Sequence, residues 1–231
     1  RIVAGQIWID VIPMAVLANG DGPTIILEGG NHGDEYEGQI VLGELIRDLP
    51  LDRIRGRLIF MPSMNAPAAQ AGLRTSPQDG KNLNRSFPGD HAGTITEQIA
   101  AYVSDELFSR GDAFLSLHSG GSSLDIIPSA LVQPTNDAAH TQRNLDAALA
   151  FGAPFNVLLN NLGDTRTSVA SRRSASGPPR SASPPHSISS ARISAWPAMV
   201  SAALRKASRA SINCRSSDSR DQSAIIAMAF E

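Results

Sequence analysis

Cysteine is nearly absent: Cys214 is the only one in 231 residues. A single thiol closes no internal disulfide and builds no cysteine-based zinc cluster, so any metal here must be held by histidine and carboxylate. The same scarcity predicts a reducing, cytoplasmic setting. Charge of one sign is also lacking. Twenty Lys and Arg stand against 22 Asp and Glu, for a formal net charge of −2, which gives no electrostatic reason to expect nucleic acid or an anionic membrane as partner. No apolar run approaches the roughly 20 residues needed to span a bilayer. Residues 1–12 lack the charged-then-apolar layout of a secretory signal. The first residue is Arg1 rather than Met, so a longer natural N-terminus is expected.

What is present falls into two unlike parts. Up to Arg166 the chain alternates short apolar strands with amphipathic helices. Residues 24–28 (TIILE) are a β-branched run between Gly-Pro and Gly-Gly, a strand signature. In residues 37–48, Ile40, Val41, Leu42, Leu45 and Ile46 share one side of a helix. Residues 57–61 (RLIFM) predict a second strand, and 94–108 a second helix with Thr94 as N-cap and Glu97 completing a capping box. A third strand is expected at 113–117, a helix at 141–150 and a further strand at 155–159. This order argues for an α/β layered fold with a parallel or mixed sheet, within one domain of residues 1–166.

Residues 167–231 read differently. Ser, Arg, Ala and Pro dominate, and no period of two or of 3.6 is sustained. Such composition buries too little apolar surface to offset the entropy of ordering. Two readings arise: a natural disordered tail, or a shift of reading frame near Val169 that leaves the preceding domain incomplete. The second is favoured, because the domain stops in mid-architecture. A third reading, an interaction arm for nucleic acid, is weak, since its basic residues are scattered without aromatic interleaving.

The chemistry concentrates at strand ends. Gly29-Gly30-Asn31-His32-Gly33-Asp34-Glu35 follows the first strand directly. His-x-x-Glu in a glycine-rich turn lets an imidazole and a carboxylate converge on one ion. Zinc accepts His nitrogen at ~2.0–2.1 Å and carboxylate oxygen at ~2.0–2.2 Å, and a catalytic zinc keeps three protein ligands and one open position. His118, in Leu117-His118-Ser119-Gly120-Gly121, is placed to be the third, since ligands in open α/β sheets gather at the carboxyl ends of strands. Alone, His32-x-x-Glu35 would more often be a capping or surface pair, and His118 a packed histidine. Both at Gly-rich strand ends favour the metal. His91, His140 and His186 lie in a polar loop, near a helix start and in the tail, and are poor candidates.

Between these segments runs a long polar stretch from Ser63 to Gly89. Its arginines can grip a carboxylate through two parallel hydrogen bonds, and Asn84 can donate beside them. Arg74 could instead face a scissile carbonyl. Judged on physics alone, a solvated loop whose arginines meet surface acids explains the stretch equally well.

The segments GGNHGDEYEG, PSMNAPAAQAGLRTSPQDGKNLNRSFPG, GTITEQIA and LSLHSGG together resemble the succinylglutamate desuccinylase/aspartoacylase family of zinc carboxypeptidase-like hydrolases. In detail the likeness is to the branch that deacetylates N-acetyl-diaminobutyrate in ectoine breakdown. The resemblance runs from about Val11 to Arg166. It implies a three-layer α/β/α sandwich around a mixed sheet and one zinc ion on His32, Glu35 and His118. It also implies Asn84 and Arg85 on a substrate carboxylate, and Arg74 polarising the carbonyl. The expected partner is then a small N-acyl amino acid, and a homo-oligomer is compatible with the composition. One departure stands out. The family places a catalytic glutamate on a later strand, in a Thr-Glu-Leu-Gly-like setting, but after Asp164 this chain has only Asp218, Asp221 and Glu231 as acids, none in that context. No general base is carried over, and slow or absent hydrolysis is expected. The rivals are a true metallocarboxypeptidase and a metal-binding but inactive relic.

Overall fold

In a computed structural model the described residues are 12–159, together with the backbone of Ile226–Ala227. The predicted tail of residues 167–231 otherwise lies outside the described residues, and His186 with it. Four strands form one sheet in the order β1 (Ala15–Asn19), β3 (Gly56–Met61), β2 (Thr24–Glu28), β4 (Ala113–Ser116). β2 runs parallel to both β3 and β4, while β1 is antiparallel to β3, so the sheet is mixed. A second sheet places β5 (Ser129–Val132) between β6 (Phe155–Leu158) and β7 (Ile226–Ala227), all parallel.

Strand alternation dictates the layers. Leu27, Leu58, Phe60 and Leu115 point to one face, where they bury against Val41, Leu42 and Leu45 of α1 (Tyr36–Asp48) and Ala148 and Phe151 of α4 (Ala138–Phe151). Ile26, Ile59, Met61 and Phe114 point to the other, against Ile99 and Ala100 of α3 (Ile95–Tyr102) and against Val103, Leu107 and Phe108 just beyond it. Helices thus cover both faces, which is the expected α/β/α sandwich. Each fully buried Leu, Ile or Phe contributes on the order of 1.5–3 kcal/mol relative to exposure.

The expected elements appear with shifts at their ends. β2 covers the expected 24–28, and α1 begins one residue early at Tyr36. The helix expected at 94–108 is interrupted: it is α-helical to Tyr102, π-helical over Val103–Leu107 and 3₁₀ over Phe108–Arg110. Glu97 reaches back to accept from Thr94 N at 2.8 Å, as a capping box requires, and also accepts from Thr94 Oγ1 at 3.0 Å. Four strands or α-helices have no counterpart in the expectation: β1, β5, β7 and the short α2 (Ala66–Ala71) inside the supposed loop. α2 forms because Asn65 accepts from Ala68 N at 3.3 Å as its N-cap, Pro67 sits in the first turn, and Gly72 closes it at φ +63°.

Two glycines allow close approaches that set the rim of the sheet. A Cβ on Gly33 would lie 2.0 Å from the Ala68 carbonyl carbon, so only glycine lets the turn after β2 rest on α2. A Cβ on Gly38 would lie 2.8 Å from Leu117 Cβ, so α1 packs tightly against the end of β4.

Candidate metal centre

The parallel strands β2, β3 and β4 end at the same rim, and the chain beyond each stays locked to its neighbour. Leu117 N donates to Glu28 O at 2.9 Å, extending the β2–β4 ladder to the residue before His118. Gly29 N donates to Met61 O, and Asn65 N to Gly30 O, each at 2.9 Å. Glu35 is the N-cap residue of α1, where the helix dipole favours its negative charge.

These constraints bring His32, Glu35 and His118 together, with one ligand atom from each inside 4.8 Å of the others. His32 Nδ1 lies 2.7 Å from Glu35 Oε1, and His118 Nδ1 lies 2.7 Å from Glu35 Oε2. The two rings are tilted with centroids 5.2 Å apart. His32 and Glu35 are buried, each 3% exposed, and the His118 side chain is 13% exposed. Both imidazoles therefore aim the same nitrogen at one carboxylate in a largely dry pocket. Burial opposes the charge on Glu35, but hydrogen bonds from His118 and His32 outweigh it and hold the carboxyl well below its ordinary range. Burial likewise opposes protonation of His118, yet the hydrogen bond and charge of Glu35 raise its pKa. Two imidazole nitrogens and one carboxylate oxygen, converging and largely protected, are the donor chemistry of a zinc site once the ion displaces the protons between them. The residues fit such an ion.

Around this core sit the remaining predicted residues. Arg74 is half exposed, and its Nη1 donates to Glu35 Oε1 at 3.1 Å. Asn84 and Arg85 lie on the 3₁₀ turn Leu83–Arg85, with Arg85 exposed and its Nη1 donating to Asn84 O at 2.7 Å. Leu83 and Phe87, both buried in the core, pin this arm from below. His91 instead pairs with Asp105 at 2.9 Å on the surface, and His140 sits on α4.

Sequence reasoning missed several residues that shape the site. The Asn82 side chain lies between the His32-Glu35-His118 cluster and the arm, its Oδ1 3.1 Å from His32 Nε2. Asp34, buried, accepts from Ser122 N at 3.3 Å and so ties the Gly120-Gly121 loop to the His32 turn. Ser119 N donates to Glu35 Oε2 at 3.2 Å, and its hydroxyl donates to Glu37. The local sequence signals none of these contacts, because each joins residues 50 or more apart.

Glu28 is the other buried acid of the rim. It is fully buried at the end of β2 and takes a hydrogen bond from the Ser116 hydroxyl across the β2–β4 pair. Burial, only partly offset by the positive charge of His118 and that bond, pushes its carboxyl up to about 7. In the unfolded chain the same group titrates near 4.5. The folded state thus holds the proton more tightly, and this contribution is full below about 4.5 and lost as pH rises to 7. We expect Glu28→Gln to stabilise the metal-free protein at pH 8 by about 3 kcal/mol, and by almost nothing at pH 4.5. Urea unfolding of both forms across that range is the check, and a pH-independent difference would contradict it.

An α/β sandwich with a His-Glu-His cluster at the carboxyl rim defines the class of fold and candidate site. The succinylglutamate desuccinylase/aspartoacylase catalytic domain matches residues 21–178. A curated relative, N-alpha-acetyl-L-2,4-diaminobutyric acid deacetylase of Halomonas elongata, is 51% identical over 152 residues, covering 66% of this chain and 44% of its own length. Among solved structures, the succinylglutamate desuccinylase/aspartoacylase of Rhodobacter sphaeroides is 40% identical with TM-score 0.66, over 72% of this chain and 49% of its own. The product-bound ectoine utilization protein EutE (DoeB) of Ruegeria pomeroyi is 35% identical with TM-score 0.70, over 94% and 66%. The chain belongs to the succinylglutamate desuccinylase/aspartoacylase family. It spans less than half the length of the curated relative it matches.

Proposed function

We propose that this chain carries the zinc-binding part of an N-acyl amino acid deacylase, with His32, Glu35 and His118 as ligands of one ion. The observation that carries the reading is the convergence of three ligand atoms within 4.8 Å at the strand rim. The Halomonas relative, named as a deacetylase of an acetylated diamino acid, supports a small N-acyl amino acid as substrate.

His32, Glu35 and His118 would hold the zinc ion, which would supply Lewis acidity for an amide carbonyl and for water. The chain's own residues do the rest. Arg85, exposed on the 3₁₀ turn, offers its guanidinium fork to the substrate carboxylate, with Asn84 donating beside it. That anchors one end of a small molecule and fixes the amide relative to the pocket. Arg74, with Nη1 3.1 Å from Glu35, stands where it can donate to the oxyanion that develops as the carbonyl is attacked. No residue of this sequence stands in the setting where the family resemblance would place the proton-carrying glutamate, so proton transfer is assigned to no residue.

Acetate release from N-acetyl-diaminobutyrate, compared with cleavage of a C-terminal residue from a peptide, tests the reading. Acetate release without peptide cleavage is expected, slow because no general base is assigned. Peptide cleavage alone would make the chain a metallocarboxypeptidase, and bound zinc with neither reaction would make it an inactive relic. Arg74→Met is expected to lower the acetate rate about 10²–10³-fold while zinc content stays unchanged, as for loss of one oxyanion donor. An unchanged rate would remove Arg74 from the chemistry.

A further inference from the structure

We propose that Asn82 is a positioning residue whose side-chain oxygen serves two partners at once, orienting His32 for the metal and capping the turn that carries Asn84 and Arg85. This rests on the metal reading above. Asn82 Oδ1 lies 3.1 Å from His32 Nε2 and accepts the backbone N–H of Asn84 at 2.9 Å. The same residue's carbonyl accepts from Arg85 N at 3.0 Å and from the Ser86 hydroxyl at 2.9 Å. Asn82 is thus the N-cap of the 3₁₀ turn Leu83–Arg85.

The chemistry follows from the amide. Its oxygen can only accept, so the His32 partner must present Nε2–H to it. With that proton fixed on Nε2, the Nδ1 lone pair is left for the ion, on the side where Glu35 and His118 converge. An acceptor behind a ligating imidazole fixes ring orientation and raises ligand basicity. A neutral amide does so without adding charge, so the pocket keeps a single carboxylate and any bound cation keeps more of its positive charge. Because one oxygen also caps the arm, the turn bearing Asn84 and Arg85 is held in register with the metal pocket.

Three substitutions in the full chain separate the two roles, with zinc affinity measured by competition against a chelator and thermal midpoints measured without metal. Asn82→Ser keeps a good cap but is too short to reach His32. It should retain the wild-type midpoint and lose about 10–100-fold in zinc affinity. Asn82→Asp keeps both contacts and offers a more basic acceptor, so it should bind zinc more tightly than wild type. Asn82→Leu should lose zinc affinity as Ser does and melt lower as well. Wild-type zinc affinity in Asn82→Ser, or no gain in Asn82→Asp, would overturn the positioning role while leaving the metal site standing. Absence of zinc binding by the wild-type chain would overturn both.

Discussion

His118→Ala is expected to reduce zinc from about one ion per chain to near none after dialysis, with affinity falling roughly a thousand-fold or more. Three observations converge on that expectation. His118 is one of only three groups whose ligand atoms meet inside 4.8 Å among the described residues. It supplies the first of the hydrogen bonds that, against burial, keep Glu35 ionised. It also lies at the end of the β2–β4 ladder, where the Leu117 bond to Glu28 fixes its backbone whether or not the side chain is present. Removing the imidazole should therefore leave the fold intact and raise the Glu35 pKa. Because Glu35 and His118 form an ion pair in the metal-free protein, zinc uptake by the wild type must displace protons, so affinity should fall as pH is lowered. Elemental analysis, with circular dichroism as a control for folding, reads the outcome. A folded His118→Ala chain that keeps its zinc would exclude His118 as a ligand.

The second large effect is structural. Phe114→Ala should cost about 3–5 kcal/mol of stability, the usual loss for emptying a buried phenylalanine site. Phe114 is fully buried on β4 and meets Phe108 edge-on with ring centroids 5.2 Å apart, and Phe108 in turn stacks on Phe87 at 6.3 Å. The chain of rings links the strand that delivers His118 to the arm that carries Asn84 and Arg85. A cavity at Phe114 should loosen both. Urea denaturation is the measurement, and a loss below about 1 kcal/mol would show that the neighbouring helix collapses into the space.

Much of this architecture was legible residue by residue. Thr24–Glu28 announces itself through its β-branched run between glycines, and the helix after it through the spacing of Val41, Leu42 and Leu45. His32 and Glu35 are near in sequence, and glycine punctuation marks where the backbone turns. The misses have physical causes. β5, Ser129–Val132, opens on Ser129 and Ala130 and holds only one β-branched residue, so it carries little strand preference. α2 is short and contains Pro67, so in sequence it reads as a loop; its stability comes from the Asn65 cap and from burial. The break in the helix after Tyr102 leaves the apolar spacing nearly unchanged, because Val103, Leu107 and Phe108 still reach the core. Asn82 was hidden for another reason: its meaning depends on His32, fifty residues away, and no local pattern encodes that meeting.

The central claim is that this chain holds one divalent ion on His32, Glu35 and His118. The most direct test is the metal content of the purified full chain after equilibration with zinc and removal of the excess. About one zinc per chain, lost together in His32→Ala, Glu35→Ala and His118→Ala proteins that remain folded, is the predicted result. A folded wild-type chain that retains no zinc, cobalt, manganese or iron would contradict it.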